Sequence, residues 1–499
     1  NLTNAANGTI ENFTNNATIN NLNNQQDGTI KTFDNSGRID NTFSNAGKVE
    51  NFNNNTGGQI TGDIINQNSG VIDNLTNNGT ITGGITNESG GEIGTITNNS
   101  DITEIDNSGT ITKVDNNATI TDLFNKANAT INEFSNQTQG RVTNEFNNEG
   151  TVTTLNNQGA FDQGITNKNG GAITDLTNDG TITNGITNES GGEIGTITNN
   201  QNIDKIDNSG DITKVENNAT ITTLTNNQNA TIETIDNNQE VTNAFTNNGT
   251  ITNLNNNNGG TLNDVTNSST GTITTLTNRG MLNGTLTNEN GGTIQTIENH
   301  DNIQRIDNQQ GGTIDTLNNE INASITTFDN SGSVTNDFTN KGEITTLHNH
   351  STGTMNNLTN ATNATITTLA NDGQLTGGIT NETNAQIDDI INTATLGTIT
   401  NNGTITNNIS NRTNATITTI ANNQGATIGG VINEANATIT TFENSGLVQN
   451  DFTNQGTITT LNKNETGRLH NLTNAGNATI DTLTNKGTLD GGITNQANG

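Results

Sequence analysis

Four histidines are the side chains of this sequence best suited to bind a metal ion or move a proton: His300, His348, His350 and His470. Only His348 and His350 lie close together, and a spacing of two places both on one face of a β-strand. Two imidazoles on one face can bind a divalent metal ion. No third ligand follows at a convincing spacing. We therefore expect solvent-exposed histidines and predict no catalytic, cofactor-binding or metal-binding residue, and no cofactor.

Threonine pairs are the second feature that could carry a function. Phrases such as Thr80/Thr82 and Thr457/Thr459 place two hydroxyl groups on the outward face of a strand. Stacked Thr-x-Thr rows resemble the arrays of ice-binding β-solenoids. Thr is also a good strand former at exposed positions, and charged residues such as Lys31 and Glu50 interrupt this face. Ice or glycan binding through these rows is therefore the second functional hypothesis.

Carboxylates are scattered along the chain, as in the phrase Ile105-Asp106-Asn107, and a solvated face explains them. The sequence contains no calcium-binding nonapeptide, EF-hand, phosphate-loop, zinc or nucleophile-elbow motif. A polysaccharide-active enzyme needs clustered carboxylates or basic groups in a groove, and non-repeating loops usually help to build it. Departures from the repeat are short here, so we predict that the chain is not an enzyme. A polysaccharide-active β-helix is the third hypothesis.

Composition restricts the class of protein further. The chain has 499 residues, of which about a fifth are Asn, and it contains no Pro, Cys or Trp. A hydrophobic fraction of 26% would by itself suggest disorder. The net charge of -33 disfavours nucleic acid and anionic membrane surfaces as partners. Because the apolar runs are very short, we expect no transmembrane segment.

A repeat that runs from end to end argues against the disorder that the composition suggests. The unit reads Gly/Ala-x-Ile-x-x-Leu-x-Asn and is roughly 9 to 12 residues long, as in 271–278. Some units have an extra Gly before the second aliphatic residue, as in 79–87 and again in 180–188. Alternating β-branched residues indicate short strands and not helices. Ile and Leu are three positions apart in the shorter units, so a straight strand cannot bury both. Each unit therefore contains two short strands or one bent strand.

One unit offers only about two large apolar side chains, so neighbouring units must stack to bury a core. This requirement predicts an all-β fold, a parallel β-helix (β-solenoid) with two units and about 20 residues per coil. One unit per coil would leave too little interior for two aliphatic layers. Roughly 24 coils at ~4.8 Å spacing would extend over about 115 Å. The 13 Phe fit within the repeat, and we predict that they belong to the core.

Asparagine takes a special position two residues after the second aliphatic residue, as at Asn77, Asn87, Asn178 and Asn485. This spacing turns the side chain inward at a corner of the coil. Stacked carboxamides can bond to each other along the solenoid and satisfy the backbone of the turn. The sequence therefore predicts Asn ladders at the corners.

Composition does not change along the chain, so we predict a single continuous repeat domain over residues 1–499. The chain begins in mid-unit with Asn1-Leu2-Thr3-Asn4, ends at Gly499, and shows no polar cap at either end. We expect either a section of a longer array or an uncapped subunit whose ends are covered by neighbours. In the second case, end-to-end pairing would produce fibres.

The repeated phrase in 271–278 and 456–462 resembles the passenger-domain repeats of Gram-negative autotransporters and filamentous adhesins. It is most similar to the Asn-rich repeats of the vacuolating-cytotoxin-like autotransporters. This resemblance implies a secreted or cell-surface bacterial protein that adheres or forms filaments. The first functional hypothesis is therefore an extracellular β-solenoid that acts as a stalk, an adhesin or a filament subunit. Its expected partners are further copies of itself or the surface of a host or neighbouring cell.

Overall fold

A computed structural model describes every residue of the protein, Asn1–Gly499, and all of its regular structure is β-strand. The chain forms a parallel β-solenoid of about 24 coils with roughly 21 residues per coil. The predicted fold class is confirmed. Two compact units are present, unit 1 (Asn1–Ala244) and unit 2 (Phe245–Gly499). That all 499 residues form one continuous domain stays a prediction.

The strands of unit 1 follow the repeat closely. In chain order they are β1 (Leu2–Asn4), β2 (Thr9–Asn15), β3 (Thr18–Asn24), β4 (Thr29–Asn35), β5 (Arg38–Asn45), β6 (Lys48–Asn54), β7 (Gln59–Ile60), β8 (Ile64–Asn66), β9 (Val71–Asn77), β10 (Thr80–Ile81), β11 (Ile85–Asn87), β12 (Glu92–Asn98), β13 (Ile102–Asn107), β14 (Thr110–Asn116), β15 (Thr119–Asn125), β16 (Thr130–Asn136), β17 (Arg141–Val142), β18 (Phe146–Asn148), β19 (Thr151–Asn157), β20 (Ala160–Phe161), β21 (Ile165–Asn167), β22 (Ala172–Asn178), β23 (Thr181–Ile182), β24 (Ile186–Asn188), β25 (Glu193–Asn199), β26 (Ile203–Asn208), β27 (Asp211–Asn217), β28 (Thr220–Asn226) and β29 (Thr231–Asn237). The next strand, β30 (Glu240–Asn247), includes residues of both units.

The strands of unit 2 continue the numbering. They are β31 (Thr250–Asn256), β32 (Thr261–Asn267), β33 (Thr272–Asn278), β34 (Met281–Asn288), β35 (Thr293–Asn299), β36 (Asn302–Asn308), β37 (Thr313–Asn319), β38 (Ser324–Asn330), β39 (Ser333–Asn340), β40 (Glu343–Asn349), β41 (Thr354–Asn360), β42 (Thr365–Asn371), β43 (Gln374–Asn381), β44 (Gln386–Asn392), β45 (Thr395–Asn401), β46 (Thr404–Asn411), β47 (Thr416–Asn422), β48 (Thr427–Asn433), β49 (Thr438–Asn444), β50 (Leu447–Asn454), β51 (Thr457–Lys463), β52 (Arg468–Asn474), β53 (Thr479–Asn485), β54 (Thr488–Leu489) and β55 (Ile493–Asn495).

Strands pair with the equivalent strand one coil away, and every pairing is parallel. In β9, β12 and β14 the first aliphatic residues Ile72, Ile93 and Ile111 are in register. The second aliphatic residues and the terminal asparagines of the same strands are in register too. Each coil therefore contributes one strand to each of two sheets, which agrees with the prediction of two units per coil.

The bend inside each unit is also present. Ile111 and Val114 are both fully buried although they are three positions apart in β14. A straight strand would direct them to opposite faces, so the strand must bend between them. Between β23 and β24 the strand is interrupted, and Asn184 and Gly185 adopt φ values of 61° and 77°. Asn and Gly tolerate this left-handed conformation well.

Two columns of buried asparagines follow the strands of the two sheets in each unit. Along each column Nδ2 donates to the Oδ1 of the asparagine one coil further on, at distances from 2.7 to 3.1 Å, except at Asn444 and where a column ends. Asn495, the last member of the first column, is exposed. The first ladder consists of Asn4, Asn24, Asn45, Asn66, Asn87, Asn107, Asn125, Asn148, Asn167, Asn188, Asn208 and Asn226 in unit 1, and of Asn247, Asn267, Asn288, Asn308, Asn330, Asn349, Asn371, Asn392, Asn411, Asn433, Asn454, Asn474 and Asn495 in unit 2. The second ladder consists of Asn15, Asn35, Asn54, Asn77, Asn98, Asn116, Asn136, Asn157, Asn178, Asn199, Asn217 and Asn237 in unit 1, and of Asn256, Asn278, Asn299, Asn319, Asn340, Asn360, Asn381, Asn401, Asn422 and Asn444 in unit 2.

The ladders also satisfy the backbone of the turns. Asn66 Nδ2, for example, donates to Gly70 O at 3.0 Å and to Glu92 O at 3.1 Å, in addition to Asn87 Oδ1. Buried amides cost little when every donor and acceptor has a partner. This pairing explains how a chain poor in hydrophobic residues buries an ordered core.

The second ladder of unit 2 is interrupted at one residue. Lys463 takes the position that Asn occupies elsewhere, in register with Asn444 and Asn485, and is 2% exposed. Its Nζ lies 3.4 Å from Gly467 O, while Asn444 Nδ2 donates to Arg468 O instead of to a ladder partner. Desolvation by burial lowers the pKa of Lys463. A buried ammonium group therefore replaces one rung.

Most phenylalanines belong to the core, as predicted. Phe33, Phe43 and Phe52 are fully buried, and their ring centroids lie 4.8 to 5.8 Å apart. Phe13 takes the inward position of its strand and stacks on Phe33, but it is only half-buried. Phe124 departs from the core position, because it follows the second aliphatic residue and points outward, where Lys126 Nζ lies 4.7 Å from its ring centroid. The prediction that all Phe are core residues is wrong at this position.

Candidate functional site

A surface rich in threonine occupies one part of unit 2. In β45, β47, β49 and β51 the residues before the first aliphatic residue are in register, and so are those before the second one. The residue that follows the first aliphatic residue of each strand forms a third column between these two. All residues of the three columns are Thr except Gly397. The threonines are Thr395, Thr398, Thr416, Thr418, Thr419, Thr438, Thr440, Thr441, Thr457, Thr459 and Thr460. We call this set the threonine face.

No charged residue occurs within these three columns, although the sequence analysis expects charge to interrupt the Thr rows. Interruptions do occur one coil further on, where Asp481 lies in β53. The threonine face therefore presents regular rows of hydroxyl and methyl groups on a rigid sheet over four coils.

A cluster of histidine and aspartate residues lies elsewhere in unit 2, on the outward side of the sheet that contains β38 and β40. His348 is the penultimate residue of β40, and His350 follows the end of that strand. Asp329 in β38 is in register with His348. Each of these three residues offers one possible ligand atom, and the three atoms all lie within 4.8 Å of one another. We call Asp329, His348 and His350 the His–Asp cluster.

Each member of the cluster has a defined partner. His350 Nε2 lies 3.1 Å from Asp329 Oδ1, and the centroids of the two imidazole rings are 3.7 Å apart. Arg305 Nη2 pairs with the other oxygen of Asp329 at 2.9 Å. His348 Nε2 lies 2.7 Å from Asp372 Oδ2, on the next coil. These contacts bring the imidazoles and carboxylates of neighbouring coils together.

The environment of Asp372 favours its ionised form. Burial alone would raise the pKa of Asp372. Hydrogen bonds from Thr393 and His348, together with the nearby imidazoles, outweigh burial and lower this pKa. Thr393 Oγ1 donates to Asp372 Oδ1 at 2.6 Å. The carboxylate thus remains available to accept a hydrogen bond from His348.

The structure brings His348 and His350 together on one face, as their spacing predicts. Asp329 was not predicted as a third ligand because it is distant from the two histidines along the chain. Asp329 precedes His348 by 19 residues, which is close to one coil, so a search at the coil period would have found it. His300 lies in a different place, 3.9 Å from Glu298. The prediction that the chain has no metal site stays a prediction.

An acidic group in unit 1 is the other notable electrostatic feature. Burial, followed by the charges of Asp106 and Asp122, raises the pKa of Glu104. Lys126 lies 3.8 Å from Asp106, at the edge of ion-pair distance. Negative charge is therefore concentrated here beyond what the one lysine offsets.

No family model matches the chain, and a comparison with curated proteins finds no similar sequence. The structure contains no helix that is long and apolar enough to cross a bilayer. The fold and its ladders define the class of protein as a parallel β-solenoid repeat protein.

Proposed function

We propose that this protein has a non-catalytic, structural role outside the cell, as a surface stalk, an adhesin or a filament-forming subunit. The proposal rests on one observation: within each unit, every coil is bonded to the next in the same way. Two parallel strand pairs connect neighbouring coils, and in nearly every step two buried Asn–Asn bonds connect them as well.

Such an arrangement suits a protein that provides length or surface. Each added coil of about 21 residues extends the stack by ~4.8 Å and creates the same interface again. The resemblance of the repeats to autotransporter passengers and filamentous adhesins favours a cell-surface location.

Negative-stain electron microscopy over a range of protein concentrations tests the structural role. Long uniform fibres would support a filament subunit. Discrete particles near the predicted length of about 115 Å would support a stalk or adhesin segment. Flexible particles without a regular stack would contradict both.

Immunogold labelling of intact native cells tests the location. We expect labelling at the cell surface without permeabilisation. An antibody against a cytosolic protein serves as the control for membrane integrity. Labelling that appears only after permeabilisation would overturn the extracellular part of the proposal.

The threonine face favours a second function, the binding of ice or of a glycan. Rigid rows of hydroxyl and methyl groups can order water or pair with sugar hydroxyls at regular intervals. Lys substitutions at Thr419 and Thr441, in the middle of the face, should abolish thermal hysteresis or polysaccharide binding. The matched control is Thr213→Lys on β27, outside the face. Equal activity in all variants, or none in the unmodified protein, would reject this function.

A further inference from the structure

We propose that Asp329, His348 and His350 form a binding site for a divalent transition metal ion, with Zn²⁺ as the best fit. The bound ion would connect neighbouring coils of unit 2. The site is independent of the proposed function, because it depends on three side chains and not on the location or assembly of the protein.

The chemistry of the donors points to this class of metal. Two imidazoles and one carboxylate are the ligand set that Zn²⁺ accepts in three-ligand sites, and imidazoles also suit Co²⁺, Ni²⁺ and Cu²⁺. Ca²⁺ and Mg²⁺ prefer oxygen ligands alone. The mixed nitrogen and oxygen set therefore selects against the two hard cations.

The distances suit one ion. Two ligands at ~2.1 Å from a tetrahedral ion lie roughly 3.4 Å apart. His350 Nε2 and Asp329 Oδ1 are already 3.1 Å apart, and all three ligand atoms lie within 4.8 Å. His348 and His350 have side-chain exposures of 28% and 37%, which leaves them room to rotate toward the ion without movement of the backbone.

Groups around the site orient the ligands. Metal-binding histidines commonly pair their second ring nitrogen with a carboxylate, which fixes the ring and raises its basicity. Asp372 would do this for His348, since its Oδ2 lies 2.7 Å from Nε2, and Nδ1 would then be the ligand atom for the ion. Arg305 pairs with Asp329 Oδ2 at 2.9 Å and leaves Oδ1 directed at His350. The guanidinium charge also opposes a cation, so it limits the affinity of the site.

An ion in this site would join the coil of β38 to the coil of β40 through its ligands. Asp372, which follows β42, would be connected to the ion through its contact with His348. These coils are otherwise connected by backbone bonds and by the first ladder, at Asn330, Asn349 and Asn371. A metal bond between outward side chains would add a cross-link on the solvent side of the sheet. Because a ligand that binds only the folded state stabilises it, we expect the ion to protect this segment from local unfolding.

Calorimetric titration of the full chain with ZnCl₂ tests the proposal. We expect one saturable site per chain, and a Kd at least tenfold weaker in His348→Gln and in His350→Gln. His300→Gln and His470→Gln are matched controls and should leave Kd unchanged within twofold. Circular dichroism without metal verifies that each variant is folded, and Asp329→Asn provides a third test of the ligand set.

Two further readouts separate a metal site from a merely structural role. Co²⁺ should produce the visible absorption of a four-coordinate site in the unmodified protein and not in the double variant His348→Gln/His350→Gln. Asp372→Asn should weaken Zn²⁺ binding by 10- to 100-fold, whereas Arg305→Gln should strengthen it.

Hydrogen exchange provides the local measurement, since Zn²⁺ should slow exchange in β38, β40 and β42 of the unmodified protein alone. The proposal is overturned if the protein shows no saturable Zn²⁺ binding. It is also overturned if the double variant binds Zn²⁺ as tightly as the unmodified protein.

Discussion

Lys463 interrupts a ladder that is otherwise built from asparagine, so the substitution Lys463→Asn should stabilise the neighbouring coils. At present Asn444 Nδ2 has no ladder partner and donates to Arg468 O. Asn485 lies in register on the other side of Lys463. An asparagine at this position would accept from Asn444 and donate to Asn485, as the other rungs do at 2.7 to 3.1 Å.

The expected gain follows from these two bonds. A buried neutral hydrogen bond such as the one from Asn444 contributes about 1 kcal/mol, whereas the bond to Asn485 lies at an exposed residue and contributes little. Removal of a desolvated ammonium group adds to this gain, because burial lowers the pKa of Lys463 more than the charge of Asp490 raises it. At ~1.4 kcal/mol per factor of ten, 1 kcal/mol corresponds to roughly fivefold slower local opening.

Hydrogen exchange of peptides from β49, β51 and β53 is the suitable assay, because repeat proteins open locally before they unfold globally. Lys486→Asn is the matched control, since it makes the same chemical change at an exposed position outside the ladder. Equal exchange in Lys463→Asn and the unmodified protein would refute the reasoning. Equal protection by Lys486→Asn would show that the loss of charge alone is responsible.

The same lysine determines a pH dependence. Its pKa in the folded protein lies below the ordinary value of 10.5, so the folded state disfavours the proton that the unfolded state binds. Stability of these coils should therefore rise as pH increases from the folded pKa toward 10.5. Exchange rates corrected for the intrinsic effect of pH should reveal this rise in the unmodified protein and not in Lys463→Asn.

Three other substitutions test separate parts of the structure. Asn116→Ala removes ladder bonds of 2.8 Å on both sides and should cost about 2 to 4 kcal/mol by urea denaturation. Asn117→Ala, at a half-buried position outside the ladder where only a solvent-accessible bond to Asn99 is lost, should cost about 0.5 kcal/mol or less, and similar losses would show that the ladder is not special. Glu104→Gln should raise stability at pH 7, and it should abolish the gain in stability that the unmodified protein shows as pH falls through the raised pKa of Glu104. Thermal melts at several pH values test this, and an unchanged dependence of the melting temperature on pH would contradict it. Gly185→Val should destabilise the protein far more than Gly57→Val. Both glycines have positive φ, but a Cβ at Gly185 would lie 2.1 Å from a backbone oxygen, whereas one at Gly57 would meet nothing within 4 Å. Equal melting temperatures of the two variants would contradict this steric argument.

The inward and outward direction of most side chains could be predicted from the sequence alone. The three-residue spacing of Ile111 and Val114 requires a bend, and the two-residue step from Val114 to Asn116 turns the amide inward. These relations are local, because they depend only on the geometry of consecutive residues in a strand. The fold class and the ladders followed from them. Phe124 was wrongly predicted to be a core residue, because the prediction relied on its residue type and not on its outward position in the repeat.

Which outward side chains become neighbours was decided by the tertiary structure. Ladder partners lie 18 residues apart between Asn98 and Asn116 but 23 apart between Asn125 and Asn148, because the turns differ in length. These differences accumulate from coil to coil, so a contact such as that between Asp329 and His350 depends on the particular turn between them. The sequence by itself determined the repeating cross-section of the solenoid. Only the stacking of the coils decided where imidazole meets carboxylate and where threonines form an uncharged face, since such contacts join residues that are distant along the chain.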